Sequence, residues 1–166
     1  MKETKFIVVD ESDQIIGHKR KEDIRQQDIY RVSALWITNS TGEILLSKRH
    51  RSKSHDPSKW ICAVTGTVEE GESYEENIIK EAEEELGLKN ITLALGPKTK
   101  IDGYHNHFTQ WYKLLVDKEI EEFRLQEGEV EEIAWISEND LAKELGSIPE
   151  KFGPNLKKYF TLFQSR

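Results

Sequence analysis

Glu81, Glu84 and Glu85 crowd three carboxylates into a short stretch of chain. They follow a glycine-rich turn, Gly66-Thr67-Val68-Glu69-Glu70-Gly71-Glu72, and a further glycine, Gly87, comes just after them. On a helix with about 100° per residue, Glu85 lies about 40° and Glu84 about 60° from Glu81. Asn77 falls on the same side, and Tyr74, Ile78, Ile79, Ala82 and Leu86 form the adjoining apolar stripe. Like charges three and four residues apart repel at a small cost. A hard divalent cation offsets that cost, because it favours carboxylate oxygens, and magnesium also retains waters and accepts substrate phosphates. Such an ion polarises a phosphoryl group and activates water. A glutamate run alone is usually a solvated helix face. The glycine turn, Glu72 and Gly87 at set distances mark this one out for metal-assisted phosphate chemistry.

The elements that would position these groups can be read from patterning. Lys5 to Val9 and Ile15 to Gly17 predict an N-terminal hairpin around the turn Asp10 to Gln14. Lys19 to Asp28 is charged and reads as a loop or short helical turn. Arg31 to Thr38 and Glu43 to Lys48 predict strands around the turn Asn39-Ser40-Thr41-Gly42. A polar loop from Arg49 to Lys59 leads to a strand from Trp60 to Val64. Glu72 or Ser73 caps a helix that runs to about Leu86, where Gly87 stops it. Strands follow over Ile91 to Ile101, Phe108 to Val116 and Glu131 to Ile136. Ser137 with Asp140 begins a helix through Leu145. A last helix over 155–163 packs Leu156, Tyr159, Phe160 and Phe163. The expectation is a compact α/β layered domain, a mixed sheet with helices on both faces. It spans 1–166 as a single domain, with an N-terminal hairpin over about 1–30 and a C-terminal helical segment over about 137–166.

Composition narrows the partners. The chain of 166 residues is 36% hydrophobic and 33% charged, which suits a globular fold with its own core. A formal net charge of −7 argues against a nucleic-acid polymer as partner. A small phosphorylated substrate remains compatible if a metal bridges the two negative partners. Cys62 is the sole cysteine, so neither an internal disulfide nor a thiolate metal cluster can form. No stretch has the length of a membrane span or the build of a signal peptide. A cytoplasmic location is the resulting expectation, and a homodimer stays open.

The run from Gly66 to Leu88 resembles the Nudix hydrolase box. That box reads glycine, five residues, glutamate, seven residues, Arg-Glu-aliphatic, one residue, Glu-Glu, one residue, Gly-aliphatic. This chain supplies Gly66, Glu72, Lys80, Glu81, Ala82, Glu84, Glu85, Gly87 and Leu88. Lys80 stands where the family usually has arginine, and the small Ala82 fills the aliphatic position. The resemblance implies a Nudix-type α/β/α sandwich and a metal-dependent pyrophosphohydrolase, cleaving a phosphoanhydride in a nucleoside diphosphate linked to another moiety or a related small diphosphate. It implies magnesium, or manganese, on Glu81, Glu84 and Glu85, with a backbone carbonyl near Thr65 or Gly66. Gly66, Glu72, Lys80 and Gly87 would support the site. A lysine is a mobile point charge where arginine is a planar fork, so Lys80 would leave Glu72 and Glu84 more loosely oriented, or else face solvent.

The proton acceptor is open between Glu84 on the helix and a loop carboxylate. Glu129 is the choice among Glu127, Glu129, Glu131 and Glu132, although a solvated acidic loop explains them equally. Arg51, Lys53 and His55, in the loop with His50 and Lys59, are candidates to hold the distal phosphate, against the plainer reading of a solvated basic loop. His105 and His107 are placed to meet a base or sugar, or to pack at the surface. Trp36, Trp111 and Trp135 read as core or pocket wall. Gly17-His18, Tyr30-Arg31 and the segment from Arg49 to Trp60 more loosely resemble the isopentenyl-diphosphate isomerase branch of the same superfamily. That enzyme needs a cysteine followed soon after by a metal-binding histidine, and Cys62 is followed by Ala63-Val64-Thr65-Gly66. A non-catalytic nucleotide-binding protein is the remaining alternative, which retention of Glu81, Glu84 and Glu85 opposes.

Overall fold

The structure is a computed structural model that describes residues 3–164; the ends of the expected domain, residues 1–2 and 165–166, lie outside them. The N-terminal hairpin forms from β1 (Lys5–Val9) and β2 (Ile15–Arg20). Strand β2 runs beyond the expected Gly17 because His18 and Lys19 continue to pair with Ile7 and Phe6. A 3-10 turn over Lys21–Asp23 then leads into β3 (Ile29–Thr38).

Among the described residues nine strands make one mixed sheet. Strand β3 is its centre. It pairs antiparallel with β1, and parallel with β8 (Asn106–Leu115) from Ile29↔Asn106 to Thr38↔Leu115. Strand β7 (Ala94–Ile101) closes that side against β8. It begins later than the expected Ile91, because Ile91 and Leu93 pack against the core without joining the ladder.

The sheet divides beside β3. Strand β4 (Ile44–Arg49) meets β3 at Thr38↔Ile44 and otherwise pairs with β5 (Trp60–Cys62) and β9 (Val130–Ile136). Strand β6 (Val64–Thr67) pairs instead with β3. The expected strand from Trp60 to Val64 is therefore two strands, and the chain passes between the halves at Ala63. One strand cannot keep ladder hydrogen bonds to two partners that separate.

Helices cover both faces, as expected. Helix α1 (Tyr74–Leu86) buries Ile78, Ala82 and Leu86 against Leu35 and Val64. Helices α2 (Glu138–Ser147) and α3 (Leu156–Phe163) bury Leu141, Leu145, Leu156 and Phe160 against Trp36 and Trp111 on the other face. Ile79 lies at the margin of the α1 stripe and is largely exposed, correcting its expected place in the core. Ser73 caps α1 through a capping box with Glu76, and Gly87 ends it at φ 70°. That left-handed conformation suits glycine, which has no Cβ to clash.

The hairpin turn is tied to the rest of the fold through Asp13. Its carboxylate accepts hydrogen bonds from Arg31 Nε at 2.8 Å, Lys98 Nζ at 2.6 Å and the Tyr74 hydroxyl at 3.0 Å. Burial acts to raise the Asp13 pKa, but the bonds from Lys98, Arg31 and Tyr74 outweigh it and hold the carboxyl below its usual range. Arg31 and Lys98 each lie 5.0 Å from the Tyr74 ring centroid. One side chain thus joins the β1–β2 turn to β3, β7 and the first turn of α1. Asp13 sits at φ 59°, which asparagine tolerates equally well. Asp13→Asn therefore removes the charge without straining the turn. We expect it to lower unfolding free energy at neutral pH by about 1.5–3 kcal/mol, the range for hydrogen bonds to charged groups. A lowered carboxyl pKa stabilises the fold above the unfolded value and loses that contribution as pH falls through the folded value. Urea midpoints of the two proteins should therefore converge in acid.

Candidate active site

The position of Glu81 depends on a missing side chain. A Cβ built on Gly66 would lie 2.4 Å from Glu81 Cγ and 2.7 Å from Asn77 Oδ1. The bare backbone of β6 lets α1 approach closely enough for Glu81 and Glu85 to reach a cavity of about 790 Å³ on the other side. The floor of that cavity is one face of β3 and β8, made of Tyr30, Val32 and Ala34 beside His107, Thr109 and Trp111. These alternate along their strands, as one face of a sheet requires. Thr65 and Gly66 flank the glutamates, and Lys53 and Glu129 face them from two loops.

Glu72 locks the glycine turn to the helix. One oxygen accepts from the Glu69 backbone N–H at 3.0 Å and from Asn77 Nδ2 at 2.9 Å, and the other accepts from Lys80 Nζ. Burial would raise the Glu72 pKa, but the bonds from Lys80, the Glu69 backbone and Asn77 hold it below its ordinary value. Lys80 Nζ also lies 3.6 Å from Glu69 Oε2, so it is a paired support and not a free solvent-facing cation. Asn77 is fully buried. It donates to the Thr67 carbonyl at 3.0 Å, and its Oδ1 accepts from Ser33 Oγ. Sequence reasoning placed Asn77 beside Glu81 on the wheel and gave it no role. A polar residue one turn before a carboxylate was the available signal; its partners on β3 and β6 are visible only in the fold.

The two cavity-facing glutamates are poorly solvated. Burial, with Glu84 next in effect, pushes the Glu81 pKa up to about 7. Burial, followed by the charges of Glu81 and Glu129, pushes Glu85 up to about 8. Both groups would ionise more readily beside a cation. Among the described residues no three His, Cys, Asp or Glu side chains form a ready metal-holding group. Magnesium commonly takes one or two carboxylates plus substrate phosphates rather than an all-protein cage. The pair Glu81 and Glu85, desolvated and open to the cavity, suits that habit. Glu84 is exposed and does not line the cavity.

The expected phosphate-binding residues separate. Lys53 lines the cavity and pairs with Glu129 at 2.6 Å, and the His50 backbone N–H donates to the Glu129 carbonyl at 3.1 Å. His55 also lines it and meets His105 edge-on, with ring centroids 5.2 Å apart. Arg51 points away, three-quarters exposed, to Glu131 at 2.7 Å. Arg49, which was not singled out, lines the cavity instead. His18 lies 3.8 Å from Glu70 and outside the lining. Cys62 is buried, and burial foremost pushes its thiol pKa up to about 12, so it stays protonated. Cys62 nonetheless lines the cavity, with no histidine in the residues Ala63 to Gly66 that follow it. Of the tryptophans, Trp36 and Trp111 are core, and Trp135 donates to the Lys118 carbonyl.

The sequence profile of the NUDIX domain matches residues 29–156, most of the chain. The chain belongs to the Nudix hydrolase family. An uncharacterized Nudix hydrolase of Nostoc is 33% identical over 149 residues, covering 82% of this chain and 87% of that protein. Another, from Yersinia pestis, is 27% identical over 167 residues, covering 96% and 85%. Among solved structures, DR0079 of Deinococcus radiodurans superposes with a TM-score of 0.82 at 22% identity, over 96% of this chain and 99% of that one. That likeness speaks for the α/β/α sandwich. Family membership makes this chain a pyrophosphohydrolase, whose general reaction is cleavage of a phosphoanhydride bond. Among the described residues no helix is long and apolar enough to cross a membrane.

Gly66→Ala tests the close approach directly. The added methyl must displace Glu81 or Asn77, and a shift of about 1 Å in a catalytic group can cost about 100-fold in rate. We expect a loss of that order in kcat/KM on any diphosphate the native enzyme cleaves, with an unchanged far-ultraviolet circular dichroism spectrum.

Proposed function

We propose that this Nudix enzyme hydrolyses a small diphosphate in a magnesium-dependent reaction, with manganese as a substitute, and that Glu81 and Glu85 hold the metal. The observation that carries this reading is the desolvated glutamate pair at the Gly66 crossing. Bound there, the cation would polarise the phosphoryl group and screen its charge from the glutamates. Lys53 and Arg49 line the same cavity and supply positive charge toward the phosphates. His55 contributes at its rim, while Arg51 serves through its hold on Glu131. Glu84 acts on Glu81 from the outer side of the helix, through its charge alone.

Glu129 is the better-placed proton acceptor. It lines the cavity, its charge is felt at Glu85, and Lys53 orients it. Water oxygen attacks phosphorus, its proton passes to Glu129, and the bridging phosphorus–oxygen bond breaks. The bridging oxygen leaves with the second phosphorylated product.

A screen of nucleoside diphosphates, dinucleotides and isoprenoid diphosphates with magnesium should reveal turnover. Glu81→Gln and Glu85→Gln should each lower kcat/KM at least about 100-fold, because metal polarisation supplies several kcal/mol. Glu129→Gln should lower kcat about 100-fold or more, the lower range for a lost general base, and more than Glu84→Gln does. Equal activity in Glu129→Gln and the native enzyme would move the base elsewhere.

Metal binding should also show in stability. In the metal-free fold the raised Glu81 and Glu85 carboxyls keep protons that the unfolded chain releases. Stability therefore falls as pH rises from about 4.5 through about 8. A cation reverses that loss by favouring the ionised pair. Magnesium should raise Tm more near pH 8.5 than near about pH 5.5. Equal shifts at both values, read by calorimetry against EDTA, would argue against this pair as ligands.

A further inference from the structure

Lys53 and Glu129 meet from two loops at the cavity wall, with Nζ 2.6 Å from Oε2. The charges of both are felt at Glu85. The segment that carries Glu129 hangs from the last turn of α1. There the Gln126 backbone N–H donates to the carbonyl of Glu85 itself at 3.0 Å, and the Arg124 N–H donates to that of Leu86 at 3.1 Å. The Glu129 N–H donates to the Gln126 carbonyl at 3.2 Å, and the His50 N–H donates to the Glu129 carbonyl at 3.1 Å. Outside the cavity lining, Arg51 and Glu131 join the same two loops a second time.

The main chain of Glu129 is therefore fixed by several hydrogen bonds, while its carboxylate is held, among the described residues, by Lys53 alone. Lys53 is rooted in the same manner. Its backbone N–H donates to the His50 carbonyl at 3.1 Å, and the Ser52 N–H donates to His50 Nδ1 at 3.2 Å. The turn is set, and the long stem above it is flexible. The two side chains are 29% and 40% exposed. An ion pair that open to water is worth only about two- to fivefold in an equilibrium, so a stronger anion displaces it.

We propose that Lys53 is a latch on Glu129 that the substrate itself opens: the ammonium holds the carboxylate in the empty site and exchanges it for a phosphate oxygen when the diphosphate enters. The latch rests on the reading above that Glu129 accepts the proton of the attacking water. Lys53 keeps its own proton and stays a cation throughout; only its partner changes.

A diphosphate brings more negative charge than one carboxylate, and an ammonium meets it as a point charge from any direction. A carboxylate that accepts from an ammonium has less pull on the proton of a water than a free one. The exchange therefore frees the base at the moment a substrate is present. Because the Glu129 main chain stays tied to Glu85 and His50, the carboxylate is released without its loop moving away. Arg49, the other loop cation in the cavity wall, is engaged differently: its Nε donates to the His55 carbonyl of its own loop at 2.9 Å. Lys53 is thus the cation whose partner is the base.

The test measures binding of methylenediphosphonate, a diphosphate analogue with carbon at the bridge, by titration calorimetry in magnesium. Glu129→Gln should tighten binding, because Lys53 no longer has to leave a partner. In a Lys53→Met background the same substitution should give a gain about two- to fivefold smaller, the worth of the pair. Removal of one negative charge acts in both backgrounds and cancels. Glu131→Gln breaks the outer pair between the same loops and should not share the gain. A crystal structure of the native complex should place Lys53 Nζ about 3 Å from a phosphonate oxygen and more than about 4 Å from the Glu129 carboxylate. The latch is overturned if methylenediphosphonate does not bind, if Glu129→Gln gives the same gain in both backgrounds, if Glu131→Gln matches it, or if the complex keeps Lys53 on Glu129. Because no hydrolysis is read, the latch and the catalytic reading fail separately. Coupled binding without turnover sinks only the latter, and turnover with an uncoupled pair sinks only the former.

Discussion

Holding two neighbouring carboxylates out of water is the constraint around which this molecule is arranged. Glu81 and Glu85 are one helical turn apart and partly buried, and Glu85 also feels the charge of Glu129. A free helix would turn them to solvent, where repulsion between like charges is weak. Here the apolar stripe of α1 is committed to the sheet, and Ile78, Ala82 and Leu86 have no exposure at all. The hydrophobic face sets the rotation of the helix, and that rotation presents the glutamates to the cavity.

Rotation alone would leave them too far away. The approach depends on Gly66, and Gly66 sits where it does because β6 pairs with β3 and not with β4. The division of the sheet beside β3 is therefore part of what brings the glutamates to the cavity. The turn between β6 and α1 must also hold one conformation. Glu72, Asn77 and Lys80 do this with a connected set of hydrogen bonds in which a carboxylate, an amide and an ammonium each meet partners. Such a set is most rigid when every member is satisfied. Lys80 fulfils the charge requirement of its position with a single ammonium, and Glu69 shares it. Asp13 acts similarly at the distance of the hairpin, since it fixes Tyr74 at the start of the same helix.

Much of this was legible in the chain. The capping pattern at Ser73, the stop at Gly87, the apolar stripe of α1 and the alternation of most strands are local signals. They arise within a few residues and were realised nearly as expected. The failures were non-local. Trp60 to Val64 reads as one apolar run, and only the separation of its two partner strands breaks it. Arg51 and Lys53 are alike in sequence, yet one leans out to Glu131 and the other in to Glu129. Charge type says what a loop residue can bind, whereas the path of the loop decides whether it reaches the site.

The sequence by itself determined the chemistry: the residue types and intervals from Gly66 to Leu88 specify carboxylates on a capped helix after a glycine turn. That information is local, because helix phase and turn conformation depend on neighbours in the chain. The tertiary structure decided which of those carboxylates face the cavity, what restrains them and what shape of molecule fits beside them. Glu81 and Glu85 reach in while Glu84 stays outside, Asn77 acquires partners on two strands, and Tyr30 meets His107 across a parallel pair. Each of these follows from strand pairing between distant segments. Burial and desolvation arise only when those segments come together.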